Sequence, residues 1–240
     1  MTTKTQTTTT ENELLLETKE YEKCAVISTI EPDEREQIDS LVEKILSRQT
    51  SGAGRTNLIE NRIRLKSDEP VRCKPRRMSK HIREAAQRIV DEWKLAIIIE
   101  PLTSDYSSAP VIVRKSDDTY RMCIDYRDVN AKTIKDRAPS LDSILDGLRG
   151  ARYISKIDLK QAFLQVSMEE SSKKYTAFAV NRSGLWQFKQ MPFGLTGSPA
   201  TFCQLVNSLF GPTDQPQVFA YLDDILIVTQ TFDEHLKWLE

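Results

Sequence analysis

The sequence contains no apolar run that approaches the roughly 20 residues a helix needs to cross a bilayer. Residues 1–10 also lack the apolar stretch of a signal peptide. These absences predict a protein without a membrane partner that stays in the cytoplasm or the nucleus. With 240 residues, 39% hydrophobic and 29% charged, the chain is long enough to bury one or two ordinary cores.

Cysteine and histidine patterns that bind zinc are missing as well. The four cysteines lie far apart and form no Cys-x-x-Cys motif, and the two histidines are not paired. This spacing indicates neither a zinc site nor a disulfide framework. We interpret His81 and His235 as ordinary surface or helix residues, because no nucleophile motif accompanies them.

The net charge of −1 conceals an uneven distribution along the chain. Residues 1–60 carry 7 basic and 12 acidic side chains, whereas residues 62–83 carry nine basic and only two acidic ones. Such a local excess of positive charge is typical of a phosphate-binding surface. A solvated basic loop would have the same composition, and charge alone does not separate the two.

The first part of the chain differs from the rest. Residues 1–24 are rich in Thr and Glu without apolar periodicity, which predicts a disordered leader. A helix is predicted to begin at Pro32, because Asp33 and Glu34 suit the positive end of its dipole. Residues 49–55 then predict a flexible linker. We therefore assign residues 1–56 to an acidic, partly disordered leader with one helix, and residues 57–240 to the main domain.

The main domain mixes helical and β patterns. Ser79 is placed to cap an amphipathic helix that contains Ile82, Ile89 and Trp93. Apolar periodicity predicts the strands 109–113, 120–125, 153–158, 175–180, 217–222 and 225–229, and the helices 141–148 and 198–210. This alternation predicts an α+β fold with antiparallel strands.

Two adjacent acids, Asp223 and Asp224, interrupt the apolar run 219–228. Two strands joined there would form a hairpin with both carboxylates at its tip. Like charges about 4 Å apart repel by roughly 4 kcal/mol at an effective dielectric constant of 20, and apolar flanks add a desolvation cost. A divalent cation would offset both, and oxygen ligands suit magnesium. A solvated polar turn is the alternative, but this turn lacks the usual glycine.

Asp158 ends a second apolar run and can supply a third carboxylate, although a lone Asp at a strand end is ordinarily a cap or turn residue. Three acids that hold two magnesium ions are the arrangement required for nucleotidyl transfer.

Five segments occur in unbroken order between about residue 62 and residue 240. They are YRMCIDYRDVN (120–130), IDLKQAF (157–163), KYTAF (174–178), FKQMPFGLTGSPATF (188–202) and YLDD (221–224). Together they resemble the reverse transcriptase domain of gypsy-type long-terminal-repeat retrotransposons and, more distantly, of retroviruses. One departure is Gly197-Ser198, where gypsy-type elements usually have Asn-Ala and retroviral relatives have Gly-Ser.

The resemblance implies a right-hand polymerase, in which a ferredoxin-like palm of antiparallel sheet and helices carries fingers. The fingers would comprise residues 62–140 and 174–200, and the palm residues 141–173 and 201–240, with the chain ending before a thumb. Thumb and ribonuclease H domains are expected in the full-length polyprotein. The implied partners are an RNA template, a DNA primer–template and deoxynucleoside triphosphates (dNTPs), and the implied location is a cytoplasmic virus-like particle or the nucleus.

The resemblance also implies roles for individual residues. Asp158, Asp223 and Asp224 match the ligands of two Mg²⁺ ions, for which Mn²⁺ is a possible substitute. Arg121 matches a fingers arginine that lies against the incoming triphosphate, and Arg114 or Lys115 matches a basic residue near the terminal phosphate. The remaining matches are an aromatic gate beneath the sugar (Phe163), residues that flank the nucleotide and templating base (Phe193 and Gly194), the template strand (Asp125 and Tyr126) and the primer end (Tyr221 and Leu222).

Two readings of the function stay open at this point. The first is an RNA- and DNA-templated DNA polymerase that uses two-metal transfer from dNTPs to a primer 3′-hydroxyl. The second is a truncated, weakly active or inactive retroelement remnant that at most binds nucleic acid. A viral RNA-dependent RNA polymerase shares the paired acids, but the bulky Phe163 disfavours it.

Overall fold

A computed structural model describes residues 21–26, 30–47, 54–73, 77–136, 147–159, 161–180, 184–210, 218–221 and 224–240. The helices are α1 Pro32–Ser47, α2 Lys80–Leu95, α3 Arg127–Lys132, α4 Glu170–Lys173, α5 Ser198–Phe210 and α6 Phe232–Leu239. The strands are β1 Tyr21–Val26, β2 Thr56–Asn61, β3 Ile99–Pro101, β4 Ala109–Arg114, β5 Tyr120–Asp125, β6 Tyr153–Leu159, β7 Val166–Met168, β8 Phe178–Val180, β9 Gly184–Phe188, β10 Val218–Tyr221 and β11 Asp224–Thr229.

Four antiparallel strands in the order β1-β6-β11-β10 form what we call the palm sheet. Side chains alternate between the two faces of a strand. One face therefore carries Ser155 and Ile227, both buried, and it packs against helices α5 and α6. The opposite face carries Lys156, Asp158 and Asp224, which are only half-buried. Packing on one face thus leaves the charged side chains of Lys156, Asp158 and Asp224 directed away from the helices.

Smaller sheets that share one core form the fingers and the segments next to them. Strands β4 and β5 form an antiparallel hairpin, β3, β9 and β8 form a three-stranded sheet, and β2 pairs with β7 in parallel. Helix α2 buries Ala86 and Val90 against this layer. The ring of Trp93, on the same helix, lies 6.0 Å from the ring of Phe178 and 5.2 Å from that of Phe188. Aromatic packing therefore joins α2 to the three-stranded sheet.

The predicted α+β architecture is confirmed, and several bounds are close. Helix α1 begins at Pro32, α5 spans 198–210 as predicted, and β4, β5, β6 and β11 lie within one residue of their predicted positions. The strand predicted at 175–180 is wrong in its first part, because residues Lys174–Thr176 form a 3₁₀ turn before β8. Strand β10 confirms 218–221 of the strand predicted at 217–222. Residues 217, 222 and most of the helix predicted at 141–148 lie outside the described residues.

The leader prediction needs a correction. Tyr21–Val26 forms strand β1 and pairs with β6, so an unstructured leader as far as Cys24 is wrong for residues 21–24. Strand pairing uses backbone groups, and an edge strand needs no apolar alternation to provide them. Helix α1 also contacts the palm, because Ile38 is buried and Glu34 Oε1 accepts a hydrogen bond of 2.9 Å from the Tyr153 hydroxyl. Part of the leader thus belongs to the palm.

The interpretation of His235 as an ordinary surface or helix residue also needs a correction. The residue lies in α6, but it is completely buried. Its Nε2 is 2.8 Å from the Ser155 hydroxyl on β6, and its Nδ1 is 2.9 Å from the Thr229 hydroxyl on β11. The imidazole therefore bridges the two strands that carry Asp158 and Asp224. Burial lowers the pKa of His235 below its ordinary value, because a buried imidazolium loses its hydration.

No helix within the described ranges is both long and apolar enough to span a bilayer.

We expect His235→Ala to lower the free energy of unfolding by about 2–4 kcal/mol, because it removes the imidazole partner of two buried hydroxyls and opens a cavity. The Thr229 hydroxyl keeps its bond to the Thr231 carbonyl, so most of the loss is expected at Ser155. His81→Ala, an exposed position on α2, is the control and should change it by less than about 0.5 kcal/mol. Urea unfolding of both variants measures the difference. Similar stabilities for the two variants would contradict the bridging role of His235.

The same histidine predicts a pH dependence. Because its pKa is lower in the folded state, the unfolded chain takes up a proton first as the pH falls below about 6.5. Stability should then fall by at most about 1.4 kcal/mol per pH unit until the folded-state pKa is reached. Urea unfolding of wild type and His235→Asn at pH 7.5 and 5.5 isolates this contribution. An equal loss in both proteins would rule it out.

Candidate active site

Two of the three predicted metal ligands meet across the palm sheet. Asp158 on β6 and Asp224 on β11 are directly opposed in the antiparallel register, so both side chains lie on the same face. Lys156 lies on that face as well, and its Nζ is 2.7 Å from Asp224 Oδ2. Asp223 and Leu222 lie outside the described residues, as does the side chain of Tyr221.

The local sequence explains why the acids lie at the end of buried strands. Ala220 on β10 and Ile227 on β11 are buried against the helices, which fixes the hairpin in place. Asp224 is the first residue of β11 and pairs with Tyr221, the last residue of β10. Asp224 therefore lies at the end of the hairpin, where its side chain is only half-buried.

The described residues fit a divalent cation only in part. Asp158 and Asp224 provide hard oxygen ligands on one face, and an ammonium already neutralises one of them. Among the residues that the structure describes, no group of three or more His, Cys, Asp or Glu side chains could hold a metal ion. Asp223, the third predicted ligand, is not among those residues but is the chain neighbour of Asp224. The donor chemistry of these acids therefore suits magnesium or manganese.

A cavity of about 510 Å³ lies between α2, strand β5 and the turn at residues 192–193. Lys115, Arg121 and Phe193 all line it, so the structure brings together three residues predicted to bind the nucleotide. Gln161 and Leu164, which follow shortly after Asp158 in the chain, line it too. Arg114 is not among the lining residues, and its guanidinium lies 3.0 Å from Asp118 in the β4–β5 turn. Of the two alternatives left open by the sequence, the cavity favours Lys115.

Phe163 is buried next to Phe193, one of the residues that line the cavity. Its ring lies 5.1 Å from the ring of Phe193 and 5.8 Å from that of Phe202 on α5. Phe193 is instead 48% exposed, although it is a large apolar residue. The aromatic pair thus joins the core to the cavity surface, with Phe163 beneath and Phe193 on top.

The turn that carries Phe193 is held by Asn130, a residue for which no role was predicted. Asn130 Nδ2 donates to the Gly194 carbonyl at 2.7 Å, and Asn130 Oδ1 accepts from the Thr196 amide at 2.9 Å. Gly194 has φ +91°, a conformation that L side chains rarely adopt. One side chain from α3 therefore holds both sides of a turn that only glycine adopts readily.

The two residues predicted to lie near the template, Asp125 and Tyr126, differ in their surroundings. Asp125 makes a two-point ion pair with Arg127, with distances of 2.8 and 2.6 Å. Tyr126 is 2% exposed, and its hydroxyl donates to the Thr176 carbonyl at 3.0 Å. Burial raises the pKa of Tyr126 well above its ordinary value. The Tyr126 ring therefore fills the core behind the Gly194 turn.

The basic segment at residues 62–83 lies largely at the surface of the fingers. Arg62, Arg64 and Arg72 are exposed, and each pairs with an acidic side chain: Glu169, Asp136 and Asp105, respectively. Lys74 and Arg76 lie outside the described residues. Exposed ion pairs contribute little to stability, so these arginines can exchange a carboxylate for another anion at small cost.

An antiparallel palm sheet that opposes two acids, together with fingers made of smaller sheets, is the fold typical of template-dependent nucleic acid polymerases. The family model for reverse transcriptase (RNA-dependent DNA polymerase) matches residues 113–240 of the chain. The chain therefore belongs to the reverse transcriptase family.

Curated relatives agree with this assignment. Retrovirus-related Pol polyproteins from transposons 412 and 297 of Drosophila melanogaster are each 33% identical, over 72% and 77% of this chain. The chain spans only 14% and 18% of their lengths. An RNA-directed DNA polymerase homolog of Oenothera berteroana is 38% identical over 50% of this chain and 87% of its own length.

Solved structures with the same fold include the foamy viral protease-reverse transcriptase. Its complex with double-stranded DNA gives a TM-score of 0.70 at 26% identity, covering 88% of this chain and 38% of that one. Its complex with an RNA/DNA hybrid gives the same TM-score and identity, covering 88% and 29%.

We expect Asn130→Ala to release the Gly194 turn and to cost about 1–3 kcal/mol, because two polar backbone groups lose their partner. Hydrogen exchange of the Thr196 amide should then become faster. Asn130→Asp is the matched variant, since it keeps the acceptor for Thr196 but not the donor for Gly194, and it should restore slow exchange at Thr196. Unchanged exchange in Asn130→Ala would refute this role.

Proposed function

We propose that this chain is the fingers and palm of an RNA- and DNA-templated DNA polymerase. The primer 3′-hydroxyl attacks the α-phosphate of a dNTP, a new phosphodiester bond forms, and pyrophosphate leaves. The observation that carries this proposal is the opposition of Asp158 and Asp224 on the open face of the palm sheet, in a chain of the reverse transcriptase family.

Asp158, Asp223 and Asp224 would hold two magnesium or manganese ions. When bound, these ions activate the attacking hydroxyl and stabilise the charge on the leaving pyrophosphate. The protein's own contribution is rigid placement of the acids, which the pairing of β6 with β11 and the His235 bridge support. No side-chain nucleophile takes part in this reaction.

The cavity lined by Lys115 and Arg121 would receive the triphosphate, because both side chains offset negative charge and Arg offers a forked donor. Phe193 and Gly194 would flank the base pair, and Phe163 would close the space beneath the sugar against a 2′-hydroxyl. The contact between Phe163 and Phe193 supports the role of Phe163 against a 2′-hydroxyl, because a larger sugar would have to displace a packed ring.

The nucleic acid would lie across the open face of the palm and under the fingers. The structural relatives were solved with double-stranded DNA and with an RNA/DNA hybrid, which supports both template types. Asp125 would act near the template and Tyr126 through the turn it supports, with Tyr221 and Leu222 at the primer end. Fingers at residues 62–140 and 174–200 and a palm at 141–173 and 201–240, now extended by β1 and α1, complete the proposal.

Primer extension on an RNA template tests the proposal. We expect incorporation that requires Mg²⁺ or Mn²⁺ and that falls at least about a hundredfold in Asp158→Asn and in Asp223→Asn, because each variant loses a metal ligand. Asp233→Asn, an exposed position on α6, is the control and should remain active. Salt-sensitive binding without any extension by the folded wild type would favour the remnant that only binds nucleic acid.

The cavity also predicts which basic residue serves the triphosphate. Lys115→Met should raise the KM for dNTP about tenfold, because a charge-assisted contact to phosphate is lost. Arg114→Met removes an equal charge one residue away and should change KM less than about twofold, since Arg114 pairs with Asp118. Steady-state kinetics with a fixed primer–template gives both values. A larger effect in Arg114→Met would show that the assignment is reversed.

A further inference from the structure

Lys156 is a charged residue at the candidate active site to which the proposed reaction assigns no task. It lies on β6 two residues before Asp158, opposite Leu226 of β11. Its ammonium reaches diagonally across the strand pair to Asp224, with 2.7 Å between Nζ and Oδ2. The side chain thus places a positive charge on the same carboxylate that is proposed to bind metal.

The exposure of the pair makes this contact reversible. The Lys156 side chain is 41% exposed and that of Asp224 is 23% exposed, so water and ions reach both groups. The ion pair is therefore stronger than one on the open surface but is not a buried pair that would be costly to open. Lys156 can leave Asp224 and be solvated without disrupting the core.

An ammonium and a divalent cation compete for this carboxylate. They repel each other, and both are attracted by Asp224 and by the neighbouring Asp158. In the absence of metal, the ammonium reduces the repulsion between the two opposed acids. It therefore stabilises the pairing of β6 with β11 that places Asp158 opposite Asp224. Metal binding must then lengthen or break the contact between Lys156 and Asp224.

We propose that Lys156 is an internal counter-ion that neutralises Asp224 in the metal-free enzyme and is displaced when a divalent cation binds. Because the Lys156 ammonium competes with the cation for Asp224, it determines the metal concentration at which the site is half-occupied. Lys156 is a positioning residue in this role, because it acts through Asp224. The proposal rests on the metal site of the proposed function.

Metal binding to the full chain provides the first test, with Mn²⁺ as the probe and its electron paramagnetic resonance signal as the measure of free ion. Lys156→Met should bind Mn²⁺ about three- to tenfold more tightly than wild type, because the competing charge is gone. Lys156→Arg keeps the charge and should stay near the wild-type affinity. Lys44→Met, which removes a lysine that pairs with Glu240 at 3.5 Å, is the control and should have no effect.

The thermal unfolding of the same proteins adds a second readout. Without metal, Lys156→Met should unfold at a lower temperature than wild type, because the opposed acids are no longer neutralised. Added Mn²⁺ should raise its unfolding temperature more than that of wild type. Equal or weaker Mn²⁺ binding by folded Lys156→Met would overturn the proposal.

Lysine labelling of the wild-type chain keeps the test independent of any variant. Acylation of Lys156, read by peptide mass spectrometry with Lys44 as the internal reference, should become faster when Mn²⁺ is added, because the ammonium is released from Asp224. An unchanged rate while Mn²⁺ binds would overturn the counter-ion role and leave the polymerase proposal standing. Failure of every protein to bind Mn²⁺ would overturn both.

Discussion

The register between β6 and β11 determines the geometry of the candidate site. It opposes Asp158 and Asp224, two groups that repel each other, and the sheet tolerates them because its other face is firmly packed. Buried side chains on α5 and α6 hold that face, and His235 bonds to both strands. A slip of β11 by one residue would turn Asp224 toward the helices and bury its charge. Packing on one face of the sheet therefore holds Asp158 and Asp224 in position on the other face.

The fingers depend on a different kind of constraint, in which single side chains hold loops in place. Asn130 joins α3 to both sides of the Gly194 turn, and Tyr126 fills the core beneath it. This support places Phe193 at the cavity surface although its ring is apolar and half exposed. Charge is placed in the same way, because the β4–β5 turn directs Lys115 toward the cavity and pairs Arg114 with Asp118. The cavity is thus shaped by contacts between distant segments.

Helices and strands with a local sequence pattern could be predicted from the sequence. Apolar runs predicted strands β5 and β6 and the hairpin formed by β10 and β11. Helical spacing predicted α5. Contacts between distant residues were not predictable, because Asn130 and Gly194 are 64 residues apart and Ser155 and His235 are 80 apart. Strand β1 was missed because edge pairing leaves no apolar signature. The Lys156–Asp224 pair becomes visible only once the register of β6 and β11 is known.

We expect Asp158, Asp223 and Asp224 to bind the two metal ions of the proposed reaction together. Anomalous diffraction from crystals of the chain with a primer–template, a non-reactive dNTP analogue and Mn²⁺ tests it most directly. We expect two anomalous peaks at coordination distance from these carboxylates, with the Lys156 ammonium moved away from Asp224. Peaks located elsewhere, or Mn²⁺ bound without contact to Asp158 and Asp224, would contradict it.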